Sequence, residues 1–424
     1  IEYIRAHRGR FRANVAREST QTLFDTLQAL PQTQRIEVAG SLRRAKETVK
    51  DVDFVVSTNE PQVISDAFVA HPAVAEITAQ GETKSSVRLN NGMQVDLRVV
   101  TDGEFPYILH HFTGSKEHNV ALRARAQGQG LKINEYGLYH GEERVECIDE
   151  TAFFAAMGLA YIPPELREGL GEIEAAAENA LPELLTAADI RGMLHVHSTY
   201  SDGADSIEAM ALAVRERGYD YLGMADHSQA AAYAGGLNVD AVKRQWDEIA
   251  RLNEKLAPFR IFKGIESDIL GDGSLDYTDD ILEQFEYIVV SVHSQFNLDR
   301  AKMTARIIRA IEHPCATIVG HLTGRLLLDR EGYDVDVDQI IEAAARCGVA
   351  IEINAHPARL DIDWRHVKKA RDHGVQIAVN TDAHSTGGLD NLPYGIGIAR
   401  KGWLRAKDVP NALDCEAIAT WFQS

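Results

Sequence analysis

From residue 191 onward, short apolar runs alternate with amphipathic stretches, and almost every run ends in histidine or a carboxylate. Seven runs have strand length: GMLHVH (192–197), YLGMADH (221–227), RIFKGIES (260–267), YIVVSVH (287–293), TIVGH (317–321), VAIEINA (349–355) and QIAVNTDAH (376–384). Between them lie segments of helical period such as SIEAMALAVRERG (206–218) and DQIIEAAARCG (338–348). Near-continuous apolar strands alternating with amphipathic helices predict a parallel sheet with both faces covered, closed as a barrel one strand short of eight.

Such folds build their sites from the C-terminal ends of the strands, so groups scattered in sequence converge there. His195 and His197 end the first strand, and Asp202 follows in a Ser/Gly turn. His227, Glu266, His293 and His321 end the next four strands, and Asp382 with His384 ends the last. A lone histidine on a strand is usually an ordinary core or surface residue. Polar groups at six of seven strand ends are another matter, because isolated buried polar groups are costly. His313, His366 and His373 fall in helical stretches and are read as ordinary.

The cluster holds six imidazoles and three carboxylates, too many for one ion, and predicts two or three metals. Nitrogen and oxygen donors without thiolate suit Zn²⁺, Mn²⁺ or Fe²⁺ better than Ca²⁺ or a solitary Mg²⁺. Clustered metals activate water and clamp a phosphoester's oxygens, so phosphoester hydrolysis is the predicted reaction class.

A different pattern lies upstream. In GSLRRAKETVKDVDFVV (40–56) a Gly-Ser turn, Gly40-Ser41, follows a strand, and Asp51 and Asp53 open the next. The DxD spacing puts both carboxylates on one strand face, and Asp96 in QVDLRVV offers a third. Three such carboxylates can hold two Mg²⁺ for in-line nucleotidyl transfer, with Ser41 and Arg44 placed to bind a triphosphate. Residues 1–105 therefore read as a helical lead-in followed by strands, 106–164 as mostly helical, 165–190 as an acidic helical linker, and 191–424 as the metal-binding domain.

The net charge of −19 argues against a uniformly basic nucleic-acid-binding surface, but the charge is uneven. Residues 1–20 carry five arginines (Arg5, Arg8, Arg10, Arg12, Arg17) against Glu2 and Glu18; 165–189 carry seven acids against Arg167. No apolar run reaches the roughly 18 residues of a membrane span. The four cysteines form no CxxC pair, which points to reduced thiols in a cytoplasmic protein. The chain opens at Ile1, inside a helix-like stretch, and the expectation is that a further N-terminal part precedes it.

HVHSTYSD, ADHS, GIESDI, SVHS, GHLTGR and NTDAH resemble the motif series of the polymerase and histidinol phosphatase (PHP) family. That resemblance implies a distorted seven-stranded barrel with a trinuclear site held by His195, His197, Asp202, His227, Glu266, His293, His321, Asp382 and His384. EINAHPARLD also resembles a family motif; His356 stands where related sequences have Asn and receives no metal role, while Arg359 and Arg325 are candidates for phosphate contact. The upstream pattern resembles the nucleotidyltransferase palm of family X DNA polymerases, and HHFTGSKEHNVALRARAQGQGLKINEYGLY (110–139) is similar to their thumb.

This second resemblance implies that Phe112 and Gly114 lie by the incoming sugar, Asn119 near its base and Arg123 near the template strand. His111 stands where animal members have tyrosine, and Gln94 replaces an arginine near the third carboxylate. The family's helix–hairpin–helix part is expected upstream, with Arg5–Arg17 as its tail. Together the two likenesses imply a bacterial DNA repair polymerase: palm, thumb, linker and PHP domain. It would add dNTPs to primer 3′ ends at gaps and carry a metal-dependent 3′–5′ exonuclease, with abasic-site endonuclease or 3′-phosphatase activity as further options. Mg²⁺ would serve the palm, Mn²⁺ or Zn²⁺ the PHP site, and the expected state is a monomer. The alternative is a small-molecule phosphomonoesterase of histidinol-phosphatase type with a passive palm.

Overall fold

Apolar residues at 13, 16, 23 and 27 recur at helical spacing, and Ala13–Gln28 folds as a helix with that face buried. Phe24 meets Phe54 edge-on, ring centroids 5.5 Å apart, and seats the helix on a sheet. The structure, a computed structural model, describes residues 7–423 together with Tyr3 and Arg5; Ile1 lies outside the described residues. The chain divides into two compact units, Ile1–Pro182 and Glu183–Ser424.

In the first unit five strands form one mixed sheet, in the order Arg35–Val38, Asp51–Ser57, Gln94–Val100, Lys84–Leu89 and Val74–Ala79. Asp51–Ser57 and Gln94–Val100 are its parallel pair, and their register sets Asp53 opposite Asp96. Helices Phe105–Thr113 and Lys116–Gly128 follow, the second capped by Ser115, whose hydroxyl accepts from His118 N.

The stretch after them departs from the expected helix. Leu131–Asn134, Gly137–His140 and Glu143–Val145 form a three-stranded antiparallel sheet. The turn chemistry explains it: Asn134 Oδ1 accepts from the Tyr136 and Gly137 amides at 2.9 and 3.0 Å, closing a tight hairpin.

The expected acidic linker is also different. Its helix is short, Glu172–Ala177, and although Glu174, Glu178 and Glu183 are exposed, Arg167, Glu168 and Glu172 are paired within the fold. Arg167 is fully buried and pairs with Glu150 at 2.5 Å. Glu168 pairs with Arg44 and Lys46 at 3.1 and 2.9 Å, and Glu172 meets His118 at 2.7 Å. Glu168 and Glu172 of this acidic run are therefore partners of groups distant in sequence, and residues up to 182 belong to the first unit.

In the second unit the strands are parallel and buried. The third predicted strand is split into Arg260–Phe262 and Gly264–Asp268, so the strands fall into two sheets. Single parallel bridges join those sheets at both seams, His227 to Glu266 and Val196 to Ala383. Leu194, Tyr221, Phe262, Tyr287, Ile318 and Ala378 fill the interior, while Met193, Val196, Leu222 and Val290 pack with the surrounding helices.

Candidate functional site

The first strand of the second unit delivers two histidines to one place by breaking its own regularity. Its register shifts between Met193 and Val196, and His195 adopts a left-handed backbone, φ +53°. Such a bulge re-aims side chains and is a feature of barrel rims near sites. Asp382 is likewise left-handed, φ +50°. A non-glycine residue held there costs on the order of 1–3 kcal/mol, which the surrounding structure must supply.

All nine sequence-predicted ligands converge, in four overlapping groups. Glu266 lies at the centre: His321 Nε2, His227 Nδ1 and His293 Nε2 approach its oxygens at 3.0, 3.0 and 3.3 Å, and His195 Nε2 at 3.4 Å. Asp382 Oδ1 lies 3.1 Å from His197 Nε2, and Asp202 lies 3.3 Å from His384 Nε2 and 3.6 Å from His227 Nε2. Close as they are, His195 Nε2, both nitrogens of His197, His227 Nδ1 and both oxygens of Glu266 lack aligned hydrogen-bond partners. Buried polar atoms are normally satisfied, so this set of converging, unpaired donors fits metal ions.

The electrostatics agree. Burial opposes the charging of His227 and His293, but Glu266, together with Asp202 at His227 and Asp268 at His293, outweighs it and raises them to about 10 and 9. Burial alone would raise Asp202, yet His227 and His384 hold it well below the usual carboxylate range. Burial dominates at His197, lowered to about 4. The carboxylates at the centre call for positive charge, which bound cations would supply.

Around the ligands stands a supporting layer that the sequence reading missed. His195 Nδ1 bonds Glu352 Oε2 at 2.6 Å, and His293 Nδ1 bonds Asp268 Oδ1 at 2.6 Å. Asn354 Nδ2 donates to Glu352 and to Asp382, both at 3.0 Å. Asp226, fully buried, accepts from Ser198 N and Ser201 Oγ at 2.7 and 2.6 Å and fixes the turn that carries Asp202. A charged residue inside an otherwise apolar strand, as in VAIEINA, was the available signal for Glu352. Of the two arginines, Arg359 Nε reaches within 3.6 Å of Asp382 Oδ2. Arg325 instead pairs with Asp363 at 2.8 Å and bonds the Arg359 and Leu360 carbonyls, which is a structural role.

In the first unit, Asp53 sits against Gly40, whose backbone is left-handed, φ +64°; a Cβ there would lie 2.3 Å from Asp53 Oδ2. Burial, then Asp51 and Asp96, push Asp53 up to about 7, and burial with Asp96 raises Asp51 as well. Two carboxylates raised by burial and by like charge, beside a third on the neighbouring strand, also fit divalent cations. Gln94 Nε2 lies 3.2 Å from both Asp96 oxygens. Arg44 bonds the Thr113 carbonyl and Glu168. Phe112 lies under the Arg98 guanidinium, 4.4 Å from centroid, and Gly114 is left-handed, φ +69°. Asn119 Nδ2 donates to the His111 carbonyl at 2.9 Å while its Oδ1 is buried without a partner, and Arg123 Nη2 lies 3.2 Å from His111 Nδ1.

Residues 108–168 match the DNA polymerase beta thumb family, and residues 193–356 match the PHP domain family. A DNA polymerase/3'-5' exonuclease PolX of Bacillus subtilis is 44% identical over 378 residues, 88% of this chain and 66% of that protein. The chain belongs to the family X DNA polymerases that carry a PHP domain.

It spans just under two thirds of the Bacillus protein's length. Its polymerase part is similar to a repair DNA polymerase X of African swine fever virus, 27% identical over 146 residues, 32% of this chain and 82% of that protein. Its PHP part is similar to a probable phosphatase of Thermoanaerobacter sp. (strain X514), 29% identical over 203 residues, 45% of this chain and 77% of that protein. The DNA polymerase beta thumb match runs through Arg167 and Glu168, in keeping with their packing inside the first unit. Asp382 and His384 lie beyond the PHP match, and geometry alone joins them to it. No helix among the described residues is long and apolar enough to cross a membrane.

Proposed function

We propose that the first unit extends primer 3′ ends with dNTPs at short gaps, and that the second is a metal-dependent 3′–5′ exonuclease, in a bacterial cytoplasmic repair polymerase acting as a monomer. The convergence of nine ligand-type residues with unpaired buried donors carries the hydrolytic half of the reading. The Asp51, Asp53 and Asp96 triad carries the synthetic half.

In the palm, Asp51, Asp53 and Asp96 would hold two Mg²⁺, which supply charge neutralisation for the triphosphate and the primer hydroxyl. Ser41 and Arg44 bind the triphosphate; because Arg44 and Lys46 are paired with Glu168, that binding exchanges one anion for another. The unpartnered Asn119 Oδ1 is free to accept from the incoming base, beside the Phe112–Gly114 turn at its sugar. Arg123, next to His111, meets the template strand.

In the PHP unit, two or three Mn²⁺ or Zn²⁺ ions would be held by the nine ligands and supply an activated water with charge stabilisation at the phosphodiester. Arg359 orients the phosphate, and Glu352 and Asp268 fix the His195 and His293 rings. The likeness to probable phosphatases also favours removal of 3′ phosphates from DNA ends. A labelled primer–template assay with Mg²⁺ or Mn²⁺, with and without dNTPs, tests both halves. His195→Ala is expected to abolish degradation and spare extension; degradation at the wild-type rate would overturn the assignment.

A further inference from the structure

Beside the metal-ligand cluster the chain exposes an aromatic side chain that no core explains. Tyr233 is 71% exposed, and its ring centroid lies 6.2 Å from that of His227 and 6.3 Å from that of His293. Neither histidine stacks on it, the interplanar angles being 56° and 67°, and most of its surface is left to solvent.

The backbone that carries Tyr233 is pinned on both sides. Ala231 N bonds the Ser228 carbonyl at 3.0 Å, Gly236 N bonds the Ala231 carbonyl at 3.1 Å, and Leu237 N bonds the His227 carbonyl at 2.9 Å. Ala230 N donates to Asp276 Oδ2 at 2.6 Å, and Ala231 and Ala234 are buried. Gly236 permits the closure, since a Cβ there would sit 2.0 Å from the Ser228 carbonyl oxygen. A tyrosine has few torsions to freeze, and on a pinned loop it loses little freedom when a ligand covers it. Arg359, 3.6 Å from Asp382, adds a cation to the same cluster. An exposed aromatic ring and a guanidinium at one metal cluster suit a nucleotide, whose base stacks and whose phosphate pairs with the cation.

We infer that Tyr233 is a positioning residue of the nuclease site: its ring stacks on the base of the 3′-terminal nucleotide of a single strand and holds the adjoining phosphodiester at the metal cluster. The inference rests on the exonuclease reading of that site, and the experiment separates the two. The full chain, Tyr233→Ala and Tyr233→Phe are compared on a single-stranded primer, on the same primer ending in a nucleotide without a base, and on bis(4-nitrophenyl) phosphate, with bound metal counted for each.

For Tyr233→Ala, KM on the ordinary primer is expected to rise about tenfold, the scale of one lost base–aromatic stack. Hydrolysis of the small diester and bound metal stay unchanged, Tyr233→Phe behaves as the unaltered chain, and the gap closes on the primer lacking its terminal base. An unchanged KM for Tyr233→Ala, when the unaltered chain degrades primers, overturns the stacking role alone. So does a gap that persists without the base, or a Tyr233→Phe variant as impaired as Tyr233→Ala. Failure of the unaltered chain to degrade any primer overturns the exonuclease reading, and the stacking role with it.

Discussion

Glu352 accepts a hydrogen bond from His195 Nδ1 at 2.6 Å, across 157 residues of sequence. The same carboxylate accepts from Asn380 Nδ2 at 2.9 Å, Asn354 Nδ2 at 3.0 Å and His321 N at 3.1 Å. Burial pushes Glu352 up, but His195 beside it holds it below the usual carboxylate range, so it stays ionised and fixes which His195 nitrogen faces the cluster.

Glu352→Gln therefore turns an amide NH₂ toward donors. With four donors and only one remaining acceptor oxygen, at least one contact becomes repulsive. The expected result is a 10–100-fold loss, roughly, of metal affinity or primer degradation, the usual scale for such outer partners. Elemental analysis and a degradation assay measure it. Full metal content and activity would refute the positioning role.

Asp53→Asn is expected to abolish extension and to stabilise the protein in the absence of divalent cations. The folded state raises Asp53 to about 7, above its unfolded value, so at neutral pH the fold works against its ionisation. Removing that charge recovers stability on the order of 1–3 kcal/mol, with the gain present above pH 7 and vanishing toward the unfolded value near pH 4. Thermal melting with and without Mg²⁺ reads the sign. Asp96→Ala should also stop extension while primer degradation persists.

Gly40→Ala tests the packing behind that carboxylate. Its added methyl meets Asp53 Oδ2, and the left-handed backbone costs a non-glycine residue roughly 1–2 kcal/mol. Extension is expected to fall much further than stability does, because the displaced group is one of the three carboxylates proposed to hold Mg²⁺. Comparable extension rates for Gly40→Ala and the unaltered chain would contradict this arrangement.

The first unit should be acid-sensitive through His110. It is buried, its ring tilted against Phe153 at 4.6 Å and edge-on to Phe154 at 5.4 Å; burial first, then Arg167 and His118, hold it well below its ordinary value. Its stabilising contribution is complete above the unfolded value of about 6.5 and is lost as pH falls below it, by about 1.4 kcal/mol per pH unit. Denaturant unfolding of the His110→Leu variant between pH 7.5 and 5 is expected to show a flatter profile than the unaltered chain.

The sequence by itself determined the strands of the second unit, save the split of the third, and the nine residues that converge at their ends, because a parallel strand buried on both faces has no ordinary use for a histidine or carboxylate at its end. It also determined the DxD and its third carboxylate, since period two places Asp51 and Asp53 on one face. Tertiary structure alone decided what holds those groups in place. Glu352 and Asp268 are local charges until the barrel brings His195 and His293 against them. Arg167, Glu168 and Glu172 read as part of a solvated linker until Glu150, Arg44 and His118 meet them. The hairpins at 131–145 and the bulge at His195 depend on hydrogen bonds and register that hydropathy does not encode. Periodicity records which face a residue takes within its own element; a charge's partner depends on which distant element packs beside it, and that is fixed only when the chain closes.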